Sequence, residues 1–95
     1  MATTKEYQEY ILEQLNFLDN ITYKPMMGEY LLYYQNVLFG GIYDNRLLIK
    51  IVNHNQKYHL PLSIPYENAK PMYLINDFNQ ELLKNIILDT YQDLK

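Results

Sequence analysis

The sequence contains no cysteine, no tryptophan and only three glycines, and these scarcities exclude several kinds of chemistry. Without cysteine there can be no disulfide, no thiolate nucleophile and no zinc–thiolate site. The one serine, Ser63, lies between Leu62 and Ile64, outside the Gly-x-Ser-x-Gly turn of serine hydrolases. The pair Gly40–Gly41 lacks the following Lys-Ser/Thr of a phosphate-binding loop. We therefore predict a protein that is not an enzyme and that carries no cofactor.

Long apolar runs and a strong charge of either sign are also missing. No stretch approaches the roughly 18 apolar residues that a membrane span needs, and the polar segment Met1–Gln8 does not resemble a signal peptide. The 95 residues are 48% hydrophobic and 20% charged, a balance typical of one compact domain, here spanning 1–95. We expect a cytoplasmic protein with no membrane partner.

Histidines and basic residues are too few to favour a metal or nucleic-acid site. His54 and His59 have no cluster of other metal ligands nearby, whereas zinc requires three or four. We predict that both are solvated loop residues and that no metal binds. The net charge is −3, although residues 24–70 carry +2 and many tyrosines that could stack on bases. Two net charges are a weak electrostatic attraction, so direct nucleic-acid binding is an unfavoured alternative.

Two amphipathic helices are predicted, one near each end of the sequence. Thr3 and Glu6 have the spacing of a capping box, and the apolar residues that follow predict a helix over 4–18. These residues are Tyr7, Ile11, Leu15 and Leu18. A second stripe predicts a helix over 79–93, with Asn76 and Asp77 as candidate caps. Its members are Leu83, Ile87, Tyr91 and Leu94, widened by Leu82 and Ile86.

Between the helices, the sequence predicts an antiparallel β meander. The pairs Gln35–Asn36 and Asp44–Asn45 suit two-residue hairpin turns, because Asn and Asp tolerate positive φ. The turns separate strands over 29–34, 37–43 and 46–51, and a fourth short strand is predicted over 72–75. The expected fold class is α+β, in two layers, with the order helix, antiparallel meander, short strand, helix.

The two turns fix a register, and the register assigns side chains to two faces of the sheet. The face predicted to form the core contains Leu31, Tyr33, Leu38, Gly40, Ile42, Leu47, Ile49 and Ile51. The other face is too apolar for water, and we predict that it is covered by a helix, by a second copy or by another protein. As a partner surface we single out Tyr30, Leu32, Tyr34, Phe39, Tyr43, Arg46 and Leu48. A small-ligand pocket is a second hypothesis, lined by Met26, Met27, Glu29 and Tyr66.

Three separated blocks of sequence resemble the N-terminal domain of the TfoX/Sxy family. They are Tyr23–Tyr34, with its Lys-Pro-Met-Met-Gly-Glu-Tyr core, Phe39–Lys50, with its Gly-Gly-Ile-Tyr-Asp-Asn-Arg core, and Pro65–Met72. The resemblance spans nearly the whole chain and identifies it as a single-domain member lacking the family's C-terminal domain.

The resemblance implies a fold similar to secretion-chaperone-like domains, which are commonly dimeric, and no catalytic residues. Long members of the family look like competence regulators that act through protein contacts. We therefore expect a non-enzymatic regulatory or protein-interaction module that forms a homodimer or binds another protein. The alternatives are a small-ligand-binding domain and a nucleic-acid-associated transcription regulator.

Overall fold

A computed structural model describes residues 2–95 as an α+β fold, as the sequence predicts. Two α-helices, a short 3-10 helix and six strands follow one another along the chain. They are α1 (Lys5–Gln14), β1 (Ile21–Met26), β2 (Glu29–Tyr34), β3 (Val37–Ile42), β4 (Leu47–Ile49), the 3-10 helix (Asn53–Tyr58), β5 (Leu62–Ser63), β6 (Met72–Leu74) and α2 (Gln80–Leu94). No helix among residues 2–95 combines the length and the apolar character that crossing a membrane requires.

All six strands form one antiparallel sheet in the order β1-β2-β3-β4-β6-β5. The two predicted hairpin turns are confirmed, because both residues of Gln35–Asn36 and of Asp44–Asn45 have positive φ. Such turns match the right-handed twist of the strands that they join. Tyr43 and Arg46 close the second turn with reciprocal backbone hydrogen bonds of 2.9 and 3.0 Å.

Strand β1 is absent from our sequence-based assignment. Its residues are mostly exposed and include Lys24 and Pro25, so it lacks the alternating pattern of a half-buried strand. It pairs with β2 through a third two-residue turn, Met27–Gly28, in which both residues again have positive φ. A lysine and a proline are typical of an edge strand that does not accept further strands, and β1 occupies one edge of the sheet.

Both predicted helices form, but α1 ends at Gln14 instead of residue 18, and the caps differ. Beyond Gln14 the chain continues in tighter turns, in which Asn16 N donates to Glu13 O and Leu18 N donates to Leu15 O. The Thr4 hydroxyl accepts the N-terminal hydrogen bond of α1, from Tyr7 N, whereas Thr3 donates its hydroxyl to Glu29. The capping box predicted at Thr3 is therefore wrong, because a carboxylate of β2 takes this side chain instead. In α2 the cap is Asn79, whose side chain accepts from Leu82 N, rather than Asn76 or Asp77.

One face of the sheet, here called the inner face, packs against both helices. The core includes Ile11 of α1 and Leu15 at its C-terminal cap. From α2 it includes Leu83, Ile86 and Ile87, and none of the five side chains has exposed surface. The sheet contributes Leu32, Phe39, Ile42, Leu47, Ile49 and Tyr73, with Tyr30 and Tyr34 packed at the margin. The opposite, outer face carries Leu31, Tyr33, Leu38 and Leu48.

The structure therefore corrects half of the predicted face assignment. Ile42, Leu47 and Ile49 point to the core as predicted, whereas Leu31 and Leu38 do not. The physical reason is a bulge: the register between β2 and β3 shifts between Leu32 and Tyr33, leaving Phe39 as an extra residue. A shift of one residue moves every following side chain to the other face.

The bulge lies beside a very close approach of two strands. A Cβ atom on Gly40 would lie 2.2 Å from the carbonyl oxygen of Leu48, far inside contact distance. Glycine at this position lets β3 approach the β4 backbone while the large Phe39 ring packs into the core.

Candidate functional site: a groove on the outer face

The outer face of the sheet forms the floor of an apolar groove of about 730 Å³, here called the outer groove. Leu31 and Leu38 contribute its floor from β2 and β3. Its wall comes from Pro65–Met72, which crosses this face before β6. The remaining lining side chains are Met26, Tyr43, Lys50 and Ile51. Ligand sites in proteins are concave, mostly apolar and of this size.

The only arginine of the chain, Arg46, holds the wall segment in place. Its guanidinium donates to the Ser63 hydroxyl, to Ile64 O at 2.9 Å and to Pro65 O at 3.2 Å. Its Nε also donates to Tyr43 O at 3.0 Å, which fixes the side chain over the β3–β4 turn. A planar guanidinium spreads five N–H donors over three nitrogens in a fixed geometry, whereas a lysine ammonium has three donors on a single nitrogen. Arg46 therefore has a positioning role at the groove.

The four residues of the predicted pocket lie together around one cavity. Met26, Met27, Glu29 and Tyr66 line a space of about 440 Å³, together with Tyr43, which also lines the outer groove. Three of these side chains form an exposed apolar patch, here called the rim: Met26 at 37%, Met27 at 97% and Tyr66 at 60% exposure. That the cavity binds a ligand stays a prediction.

Glu29 is tied to the structure around it. Its Oε1 accepts from Thr3 N at 3.0 Å, from the Thr3 hydroxyl at 2.7 Å and from Asp44 N at 3.0 Å. These bonds join the segment before α1 to two turns of the sheet. Burial, followed by the neighbouring Tyr66 and Glu29, raises the pKa of Tyr43 at the same place. Tyr43 therefore stays protonated and presents a neutral phenol to the cavity.

Two lysines lie at the opposite end of the outer groove from Glu29. Lys50 follows β4 directly, and Lys70 precedes β6, which pairs with β4. Both line the groove. Among residues 2–95 the ion pairs are His54–Asp93 and Lys57–Asp89, so neither groove lysine has an acidic partner there. The groove is thus apolar along its length and positively charged at one end.

Most of the predicted partner surface lies inside the molecule. Leu32, Phe39 and Leu48 have no exposed surface, and Tyr43 is 6% exposed, so these side chains cannot contact a partner in this fold. Tyr30 and Tyr34 are half-buried against the core, the latter with its ring 5.1 Å from that of Tyr91. Arg46 is engaged by the wall segment. The Phe39 bulge explains the burial of Leu32 and Phe39 and the packing of Tyr30 and Tyr34, because it turns these four towards the helices. Leu48 and Tyr43 stay on the outer face and are covered there.

A polar cluster that the sequence did not indicate joins the 3-10 helix to α2. His54 donates its backbone N–H to Asp93 at 2.8 Å, and its Nδ1 lies 2.6 Å from the same carboxylate. These bonds lower the pKa of Asp93, the backbone N–H most strongly. Asp89 accepts from Tyr58 and pairs with Lys57, which lowers its pKa. Burial and the Asp89 hydrogen bond raise the pKa of Tyr58 to about 12.

These contacts are structural in character. In the part of the chain that the structure describes, each buried side-chain nitrogen and oxygen has a hydrogen-bond partner, including those of the fully buried Asn55. No group of three or more His, Asp or Glu side chains within residues 2–95 has the arrangement of a metal site. The outer groove is therefore the feature with the shape of a binding site.

Comparison with known proteins finds one distant relative and no matching family model. The chain is 28% identical over 83 residues to an uncharacterised 12.7 kDa protein in the trpE 5′ region of Spirochaeta aurantia. The match covers 85% of this chain and 72% of that protein. A chain of similar size in a spirochaete is thus distantly similar over most of its length, and its description adds no activity and no ligand.

Proposed function

We propose that the protein is a non-enzymatic regulatory module of the TfoX N-terminal type that acts through protein contacts and forms a homodimer through its rim. We place it in the cytoplasm. The sequence resemblance to TfoX domains supports this proposal, and so does the apolar character of the rim.

One observation carries the proposal, the conformation of Met27. This side chain is 97% exposed, and its residue has a φ of 51°, a region that favours Gly, Asn or Asp. Methionine therefore costs stability here, and its side chain gains nothing by burial within the chain. Residues that break a local rule in this way are found at functional sites. Association of two copies would bury Met27 together with Met26 and Tyr66.

The experiment compares solution mass and stability in the same variants. Light scattering across a concentration series should show a rise from 11.5 kDa towards twice that mass for the natural sequence. Met27→Asn should weaken this association at least ten-fold while raising the free energy of unfolding by about 0.5–1 kcal/mol, because Asn suits the turn.

A matched control keeps the proposal specific to the rim. Tyr10→Gln changes an aromatic side chain that is 45% exposed on α1 and should leave the mass unchanged. A monomer at every concentration would overturn the homodimer. Equal loss of association in both variants would overturn the rim as its contact surface.

A further inference from the structure

The outer groove has two chemically different ends. At the Glu29 end of β2, the groove opens on the apolar rim. At the other end of the strands, Leu38 of β3 and Lys50 after β4 line it together with Lys70. The pairing of β4 with β6 brings Met72, and with it Lys70, to the lysine end. Apolar side chains line the space between the two ends.

From this arrangement we propose that the outer groove binds a small amphipathic anion, with its apolar body along Leu31, Leu38 and Ile51 and its anionic group between Lys50 and Lys70. The proposed site goes beyond the homodimer, because its charged end lies away from Met27.

The charges of the groove favour an anion over a neutral or cationic ligand. Lys50 is half-buried and Lys70 exposed, so each ammonium keeps part of its hydration and can still attract a charge. Neither is neutralised by an acid among the described residues. The wall segment carries one carboxylate, Glu67, which is exposed and does not line the groove. Glu29 lies at the far end and already accepts three hydrogen bonds through one oxygen.

The shape favours a small molecule over a nucleic-acid strand. The groove is a concave space of about 730 Å³ whose lining is mainly aliphatic, with Leu, Ile, Met and Pro side chains. Single-stranded nucleic acids instead bind along basic tracks with exposed aromatic platforms. Of the two tyrosines that line the groove, Tyr43 is 6% exposed, so Tyr66 is the single aromatic side chain there that could stack on a base. A carboxylate or a phosphate on an alkyl chain shares the chemistry that the groove offers.

Calorimetric titration of the full chain with decanoate, decyl phosphate and decanol tests this assignment, each below its micelle concentration. The two anions should bind at least ten-fold more tightly than decanol, and the stronger of the two identifies the preferred head group. Lengthening decanoate by one methylene should tighten binding about four-fold, the ratio expected when a buried methylene leaves water.

Variants locate the site and separate it from the rim. The double variant Lys50→Gln/Lys70→Gln should weaken decanoate binding about ten-fold and leave decanol binding unchanged. Lys84→Gln, an exposed lysine of α2, is the matched control and should change neither. Ala69→Trp should fill the groove and abolish binding of all three probes. Circular dichroism melting confirms that each variant is folded.

Met27→Asn distinguishes failure of this inference from failure of the homodimer, since it should lose association and keep decanoate binding. Equal affinity for decanol and decanoate, or decanoate affinity that is unchanged in the double lysine variant, would overturn the assignment. Tight binding of oligo-dT without binding of any alkyl probe would also overturn it, in favour of a nucleic-acid surface.

Discussion

The inner and outer faces of the same sheet are covered in different ways. The inner face is sealed by two helices, and its central side chains have no exposed surface. The outer face is covered in part by an irregular segment that one arginine holds in place, and a groove remains beneath it. The packed core thus lies on one face and the groove at which we propose binding lies on the other, although both faces are apolar.

The sharpest test of this difference uses two neighbours in β3. Phe39→Ala removes a fully buried ring from the inner face and should lower the free energy of unfolding by about 3–5 kcal/mol. Leu38→Ala removes a half-buried side chain from the groove floor and should cost about 1 kcal/mol. Urea unfolding measures both. Equal losses would show that the outer face is packed as tightly as the core.

Gly40→Ala should disturb the close approach of β3 and β4 beside the bulge. The new methyl group would meet the backbone oxygen of Leu48 at 2.2 Å, and a strand backbone cannot shift cheaply. We expect a loss of about 1–3 kcal/mol. Thr22→Ala, on the exposed strand β1, should stay within about 0.5 kcal/mol and serves as the control. A neutral Gly40→Ala would contradict the close approach of β3 and β4.

Arg46→Ala should loosen the outer face and spare the inner one. It removes the guanidinium donors to Ser63, Ile64 and Pro65, and we expect a cost of about 2 kcal/mol. Hydrogen exchange should then accelerate at the Leu74 amide, which donates to Pro61 O. The amides of α2 should exchange at rates that follow only the change in global stability. Uniform acceleration would mean that the wall segment and the core open together.

Lowering the pH should reduce the stability of the fold through Asp89 and Asp93, the two carboxylates that join α2 to the 3-10 helix. The folded-state pKa values of Asp93 and Asp89 lie below the ordinary 3.8, so the unfolded chain binds protons first as the pH falls. Their contribution to stability is present above pH 3.8 and is lost below it.

The acid effect should be the smallest of the four, because these groups lie near the surface. His54→Gln removes the ring contact with Asp93 and should reduce the steepness of the acid transition in melting experiments. Asn53→Gln, an exposed neighbour, is the control. An unchanged acid transition in His54→Gln would show that the ring adds nothing to the backbone N–H of residue 54, which the variant keeps.

The fold was predictable wherever a residue type dictates local geometry. The pairs Gln35–Asn36 and Asp44–Asn45 predicted two hairpin turns, and apolar spacing predicted both helices. The third turn was hidden because Met27 occupies a position that favours Asn or Gly. The sequence did not predict the bulge, because β2 and β3 are apolar on both faces. Their residues therefore fit a register with or without Phe39 as an extra residue.

The site was predictable in part, and for a similar reason. Met26, Met27 and Glu29 are close in sequence, and the structure adds Tyr66 as the sequence hypothesis proposed. Lys50 and Lys70 line the same groove because β6 pairs with β4 across a long connection. No local pattern encodes such an approach, so the charged end of the groove required the three-dimensional structure.

The length of the connection between β4 and β6 affects the order in which the molecule folds. Strands β1 to β4 are joined by three two-residue turns, and such hairpins form within about 1–10 μs. Strand β6 must instead close the loop from Ile49 to Met72, which costs more chain entropy before any contact forms. The wall of the groove is therefore expected to assemble last and to open first, by a local unfolding that leaves the meander intact. A ligand could then enter the groove without global unfolding.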